Sequence, residues 1–195
     1  MKIRKNDIFL YGRKMLFQML EILYPRRCAV CDEIEVTGKG ICPLCKDKVH
    51  VAGEPACKKC GKPLVDERKE FCTDCGKKHH VYTQGKAVFV YEGGIRNSMY
   101  RFKYGNKREY AEFYANAALE KYGVWLNKIK AEVLIPIPMY SRKKRLRGYN
   151  QAEVFARELG RKAGILVDEH LVRRVRNTIP QKELNESQRH RNLKN

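Results

Sequence analysis

Apolar side chains recur every three or four residues near the start of the chain. The apolar positions of this stretch include Ile8, Leu16, Met19, Leu20 and Leu23. Their spacing predicts an amphipathic helix over residues 1–24 that ends before Pro25. Cations at Arg13 and Lys14 would also suit a helix lying on a membrane surface. Such a stripe more often packs against a protein core, and we expect that role here.

The pattern changes after this helix. Residues 25–80 show little apolar periodicity and are rich in Cys, Gly, Lys and Pro, as expected where metal replaces a hydrophobic core. From residue 85 onward, strand-like and helix-like segments alternate. We therefore place a domain boundary near 80–85 and a second domain at 85–195.

This second domain has the order strand, helix, strand, helix. The predicted elements are a strand at 86–91, a Gly93-Gly94 turn, a helix at 107–122, a buried strand at 133–138 and a helix at 150–163 stopped by Gly164. The inward-facing positions of the two helices are Ala111, Tyr114, Ala115, Ala118 and Leu119, then Ala152, Phe155, Ala156 and Leu159. The alternation predicts an α/β fold for this half.

Basic residues outnumber acidic ones by 41 to 22 among the 195 residues, a formal charge of +19. Residues 1–80 hold 17 basic and 11 acidic side chains, and residues 81–195 hold 24 and 11. Two four-cysteine zinc sites would leave the total near +15, because each adds about −2. The surface favours polyanions such as nucleic acid, phosphorylated metabolites or an anionic membrane, although a basic protein without such a partner is the plainer alternative.

The first residues carry positive charge, as a signal peptide does. However, Arg13 and Lys14 interrupt the apolar stretch and no small-residue cleavage site follows, so we predict no signal peptide. No run approaches the ~20 apolar residues that cross a bilayer. We expect a cytoplasmic protein, in which thiols stay reduced and eight cysteines favour metal over disulfides.

Every cysteine belongs to a Cys-x-x-Cys pair. The pairs are Cys28 and Cys31, Cys42 and Cys45, Cys57 and Cys60, and Cys72 and Cys75. A tight turn places both sulfurs of a pair on one ion, and a second pair completes a tetrahedron. Ten residues separate the first two pairs and eleven the last two, which is the spacing of a zinc ribbon. We predict a double zinc ribbon over 25–80, a small metal-stabilised β fold with two structural Zn²⁺ ions.

Other interpretations of the cysteines remain open from spacing alone. Sequential pairing is the simplest, but a cross-braced arrangement fits as well, and an iron–sulfur cluster also takes four cysteines. A thioredoxin-like redox site would need only one pair in a βαβ context. Gly61 and Gly76 each follow the second cysteine of a pair, where glycine lets backbone N–H groups turn toward sulfur. His79 and His80 are spare ligands at most, and we expect them in an exposed loop.

The segment 136–151 is the second candidate site. The predicted strand leads into five cations within six residues, namely Arg142, Lys143, Lys144, Arg145 and Arg147. Ligands of open α/β sheets collect at the carboxyl ends of strands, where helix N-termini and arginines bind phosphate. We predict that Arg142, Lys143, Lys144 and Arg145 contact nucleic acid, with Tyr140 and Tyr149 available for base stacking. A solvated charge run beside a turn is the alternative.

In its motifs the chain resembles the ComF family, the competence-associated phosphoribosyltransferase-like proteins, over nearly its whole length. The matching parts are the proline and first cysteine pair at 23–31, the double ribbon, residues 91–96, Phe102-Lys103-Tyr104, the Pro-x-Pro strand with Arg147-Gly148-Tyr149-Asn150-Gln151, and finally Thr178, Gln181, Leu184, Arg189 and Asn192. The Arg-Gly-aromatic-Asn-Gln motif is the most specific of these.

This resemblance implies a type I phosphoribosyltransferase-like α/β domain that binds phosphoribosyl pyrophosphate (PRPP) with Mg²⁺. It implies a pyrophosphate loop at 139–150 and part of a flexible hood at 173–192. The phosphate-binding residues would be Lys143, Arg145, Arg147, Gly148 and Asn150. The family's link to natural transformation implies single-stranded DNA and other competence or DNA-processing proteins as partners.

One family signature does not occur in residues 1–195. It is an apolar strand followed by paired acids and a Thr-Thr-Gly-type loop, which hold the ribose and the 5-phosphate. The chain thus resembles a C-terminally truncated member with the front part of an incomplete domain, and we expect it to be inactive alone. The competing hypothesis is a non-enzymatic zinc-ribbon protein that binds nucleic acid or acts as an adaptor, with the α/β part as scaffold.

We accordingly predict no measurable phosphoribosyl transfer by this chain. Catalysis of this reaction depends on holding the pyrophosphate and the ribose-phosphate together, and only the first has a candidate loop. A chain without the loop that holds the ribose 5-phosphate should bind PRPP more weakly by several kcal/mol, on the order of 10³-fold. Calorimetric titration of PRPP with Mg²⁺ checks this, and tight binding would show that the site is complete without the signature.

Overall fold

The computed structural model describes residues 23–78 and 80–192. The predicted helix at 1–24 therefore lies outside the described residues, except for its last two positions. The chain divides into two compact units between Tyr122 and Gly123. The predicted boundary at 80–85 and the domain limits drawn from it remain predictions, and each unit is described below by itself.

The ribbon part of the first unit consists of tight turns with very short regular elements. Helix α1 spans Pro43–Lys46 and helix α2 spans Thr73–Lys77. Single antiparallel bridges join Arg27 to Ile34 and Ala56 to Pro63. A segment with so few ladder hydrogen bonds and so few apolar contacts needs another source of stability, which the cysteines supply.

The strand predicted at 86–91 is extended but makes only one bridge, between Val51 and Phe89. Two backbone hydrogen bonds flank it, from the N–H of Ala52 to Val88 O at 2.9 Å and from that of Val90 to His50 O at 2.9 Å. It serves to bind the aromatic segment to the ribbon rather than to build a sheet.

The Gly93-Gly94 turn was a wrong prediction, because these glycines begin helix α3, Gly93–Tyr104. A Cβ added at Gly94 would lie 2.7 Å from Val30 Cγ1 and 2.9 Å from Lys48 O. Glycine is needed here for the close approach of the helix start to the first ribbon, and not for a hairpin.

Helix α4 spans Tyr110–Ile129 and extends the predicted helix at its C-terminal end. Four of the five predicted inward positions are buried, namely Ala111, Tyr114, Ala115 and Ala118. Aromatic rings form the core around them: Phe89 stacks on Phe113 with centroids 5.4 Å apart, and Phe102 lies 5.6 Å from Tyr114. The helix ends where Lys130 adopts a positive φ of 49°.

In the second unit, β1 (Val133–Leu134) pairs in parallel with β2 (Leu166–Val167). Helix α6, Gln151–Ala163, lies between these strands in the chain, as in a βαβ unit. A Cβ at Gly160 would come within 2.5 Å of Val167 Cγ2, so glycine lets this helix pack closely on β2. The predicted strand at 133–138 is thus much shorter than expected, and β2 was not predicted.

The helix predicted at 150–163 is confirmed, with Gly164 at its C-terminal cap in the left-handed region. Its buried face includes Ala156 and Leu159, as predicted, and also Glu153. The remaining elements are α5 (Ser141–Arg147), a 3₁₀ turn at Gln181–Glu183 and α7 (Glu186–Asn192). Mixed helix and sheet is confirmed, but two strands within 23–78 and 80–192 do not establish a phosphoribosyltransferase-like domain.

None of the helices in the described part of the chain combines the length and apolar character of a membrane-crossing segment.

Asn150 connects helix α6 to the segment before α5. Its side-chain oxygen accepts from the N–H of Ala152 at 3.0 Å, and its amide donates to Ile137 O at 3.0 Å. The residue is 1% exposed. We predict that Asn150→Ala lowers the free energy of unfolding by about 2 kcal/mol, since it removes a helix cap and the hydrogen bond to Ile137 O from a buried position.

Urea denaturation followed by the fluorescence of Trp125, the single tryptophan, measures this effect. Asn127→Ala is the matched control, because it makes the same substitution at an exposed helical position of the same unit. Equal stability of the two variants would contradict the role assigned to Asn150.

Two candidate metal centres and a basic helix

The first cluster is built by a turn and a short helix. Cys28 and Cys31 lie in the turn, Cys42 caps the N-terminus of α1, and Cys45 lies within that helix. The N–H groups of Val30 and Cys42 both point at Cys28 Sγ, each at 3.4 Å. The sulfurs of Cys31 and Cys42 are 3.8 Å apart.

The second cluster repeats this plan with Cys57, Cys60, Cys72 and Cys75. Cys72 caps α2, and its sulfur lies 3.7 Å from that of Cys60. Gly61, directly after the second cysteine, has a φ of +76° and packs against the backbone at Ala87. The equivalent residue of the first cluster is Asp32, with a φ of +70°. This turn therefore follows the first cysteine pair of both ribbons, and only the second ribbon uses glycine for it. The same prediction at Gly76 is wrong, because Gly76 lies within helix α2.

Each cluster has the size and ligands of a structural zinc site. Within each group of four, all sulfurs lie within 4.8 Å of one another. A tetrahedron with Zn–S bonds of about 2.3 Å has edges of about 3.8 Å, which matches the observed sulfur separations. Cysteines 28, 31, 42 and 45 form one group and 57, 60, 72 and 75 the other, so pairing is sequential and the cross-braced alternative is wrong.

These two groups support two structural zinc ions, with four sulfurs per ion and no position for a catalytic water. In the described part of the chain, no other set of three or more cysteine, histidine or carboxylate side chains lies close enough to hold a metal. The Mg²⁺ expected to accompany PRPP remains a prediction.

Backbone dipoles stabilise one thiolate in each cluster. Burial opposes ionisation of Cys28, but the N–H groups around it prevail and lower its pKa to about 7. The same balance lowers the pKa of Cys57 to about 6. Burial and the neighbouring thiols raise the pKa of Cys45 and of Cys75 to about 12. Binding of a cation must therefore release the protons of Cys45 and Cys75, and metal affinity rises with pH.

One buried acid in the first ribbon was missed by the sequence analysis. Glu35 is 3% exposed, and its carboxylate accepts hydrogen bonds from Thr37 and from the N–H of Gly40 at 3.1 Å. Burial raises the pKa of Glu35, but these donors outweigh it and hold the pKa below its usual range. The carboxylate orders the loop between the two cysteine pairs.

The basic segment is a helix, α5, and the predicted loop at 139–150 is wrong for residues Ser141–Arg147. Like charges three and four residues apart disfavour an isolated helix, so the sequence pattern alone argued against it. Contacts within the unit offset this repulsion. Lys144 forms an ion pair with Glu153 at 2.6 Å, and Lys143 Nζ donates to Thr178 O at 2.8 Å.

The residues predicted to bind phosphate or nucleic acid differ in their exposure. Arg142 and Arg145 are exposed, whereas Arg147 is half-buried and donates to Gln151 Oε1 at 2.6 Å. Gly148, at a φ of +84°, ends α5, and the polar atoms of Asn150 are bound to the backbone as described above. Glu153, which sequence reasoning did not single out, holds the helix through Lys144.

Comparisons with known proteins bear on the ribbon. Residues 19–76 match the family model of the double zinc ribbon domain. Over 64 residues the chain is 39% identical to Competence protein F of Haemophilus influenzae (strain ATCC 51907 / DSM 11121 / KW20 / Rd), a match that covers 33% of this chain and 28% of that protein. No solved structure matches the chain. The predicted double zinc ribbon is confirmed.

We predict that the purified, reduced protein carries two zinc ions per chain and that Cys57→Ser carries one. The second ribbon should loosen while the first retains its ion, because the clusters share no ligand. Elemental analysis of both proteins measures the stoichiometry. Cys28→Ser is the matched variant in the other cluster, and loss of both ions from either variant would contradict independent sites.

Proposed function

We propose that this chain, whose zinc ribbon and partial match to Competence protein F support assignment to the ComF family, binds single-stranded DNA in DNA uptake or related DNA processing. In this proposal the zinc ions are structural and the chain acts as a binding module. The name of the matching relative, Competence protein F, motivates the biological role, and the basic character of the chain motivates the ligand.

The exposed cations of α5 carry the proposal. Arg142 and Arg145 lie three residues apart, so they are neighbours on one side of the helix. Neither forms an ion pair with a carboxylate among the side chains that the structure describes. Two guanidinium groups held on one helix surface suit successive phosphates of a nucleic-acid backbone.

The other two cations of the predicted set, Lys143 and Lys144, contact the rest of their unit. The carboxylate of Glu153 is largely buried, with 11% of its side chain exposed, and Lys144 is its ion-pair partner. Removing Lys144 would leave a poorly solvated charge unpaired, and the unit would lose stability. Substitutions at Arg142 and Arg145 therefore test DNA binding without this loss of stability.

A phosphorylated small molecule is the second candidate ligand of this segment. The turn at Gly148 joins the C-terminal end of a basic helix to the N-terminus of α6, and helix N-termini attract anions. PRPP or pyrophosphate with Mg²⁺ would fit this chemistry. The titration proposed above tests PRPP, and DNA binding in its absence would favour the non-enzymatic module.

We predict that Arg142→Ser/Arg145→Ser weakens binding to a dT₁₂ oligonucleotide and flattens its salt dependence. Each lost phosphate contact lowers the slope of log affinity against log salt by about 0.7 for single strands, or about 1.4 for both. Fluorescence anisotropy at several salt concentrations measures the slope. The matched control is Lys128→Ser/Lys130→Asn, which removes two exposed charges from the same unit; equal slopes for the two double variants would refute the assignment.

A further inference from the structure

Helix α3 presents a face whose large side chains are mostly exposed. Its buried side chains are Ile95, Ser98 and Phe102. At 100° per residue, the opposite side of the helix carries Arg96 and two tyrosines, spaced four residues apart in a single row. The roles assigned above to the zinc ribbons and to α5 do not involve the residues of this row.

The two tyrosines form a continuous aromatic surface. Tyr100 is 65% exposed and Tyr104 is 57% exposed. Their ring centroids lie 5.1 Å apart, with a tilt of 48° between the planes. Two large rings side by side with this exposure are accessible to a planar ligand.

The charge around this surface is of one sign. Residues 93–108 contain five Lys or Arg and no Asp or Glu. Two of these cations are engaged within the unit, Arg101 with Val30 O and Lys107 with Asp32 at 2.8 Å. Arg96 and Lys103 flank the tyrosine row, and neither pairs with an acid in the described ranges.

We propose that the Tyr100–Tyr104 face binds single-stranded nucleic acid, with bases stacked on the rings and phosphates beside Arg96 and Lys103. The inference rests on the proposed function for the kind of ligand, but it assigns a different surface in the other unit. Aromatic rings interleaved with cations are the combination that sequence-tolerant single-strand binding requires.

The ligand class follows from this combination. A base in a duplex is already stacked between neighbours and cannot cover a tyrosine, so the rings select unpaired bases. A small phosphorylated ligand would engage the cations without needing two adjacent rings. A protein partner could contact the rings even if acidic residues lay around them. The test below distinguishes a protein partner from single-stranded nucleic acid.

The test compares Tyr100→Ala/Tyr104→Ala with the unaltered chain on two oligonucleotides, dT₁₂ and a twelve-unit strand of abasic sugars. Loss of one stacked base lowers affinity by about tenfold, so we expect at least that loss on dT₁₂, with no change on the abasic strand. The salt slope should stay constant because no phosphate contact is removed. Tyr91→Ala is the matched control, since Tyr91 is 61% exposed and lies before α3.

A conservative variant guards against misfolding. Tyr100→Phe/Tyr104→Phe keeps both rings and should recover most of the affinity lost in the alanine variant, which would assign the effect to stacking. Zinc content and circular dichroism show whether the variants are folded. Unchanged dT₁₂ affinity in the alanine variant would overturn the inference and leave this face for a protein partner.

The two proposals fail in different ways. If dT₁₂ binding responds to Arg142→Ser/Arg145→Ser but not to the tyrosine change, only the present inference is wrong. If the unaltered chain does not bind dT₁₂ at all, both are wrong. An equal loss on the abasic strand would also overturn stacking, because that strand has no bases.

Discussion

Sulfur–metal coordination is the constraint on which the first unit depends. In the first ribbon the buried cluster is Cys28, Val30 and Cys45, so the ligands themselves take the place of an apolar core. Four thiolates drawn so close would repel one another unless a cation lay between them. Metal binding and ribbon folding are therefore one process, as in other small metal-stabilised domains.

The helices of the same unit are attached to this metal-dependent part. Tyr110, at the start of α4, donates to Asp32 Oδ1 at 2.6 Å, and Arg101 of α3 donates to Val30 O. Both acceptors lie within two residues of a cysteine ligand. The aromatic face of α3 is thus held by groups whose position the first metal centre sets, although the centre itself takes no part in binding.

The sequence predicted the elements that local chemistry determines. Paired cysteines at the spacing of a zinc ribbon are enough to identify the metal ligands. Helix α6 was predicted because its sequence contains both a side-chain cap, Asn150, and a terminating glycine, Gly164. The wrong predictions occur where contacts between residues distant in the sequence determine the local conformation. Gly94 permits close packing rather than a turn, and α5 forms despite its charge repulsion because Lys144 meets Glu153 across a turn that no periodicity encodes.

X-ray absorption at the zinc K-edge tests the central claim most directly, that each ion is held by four cysteine sulfurs and by nothing else. The account predicts a single shell of four sulfur scatterers at about 2.3 Å in the reduced protein. A nitrogen or oxygen scatterer near 2.0 Å would place a histidine or water on the metal. That result, or a signal from iron instead of zinc, would contradict the structural role assigned to both clusters.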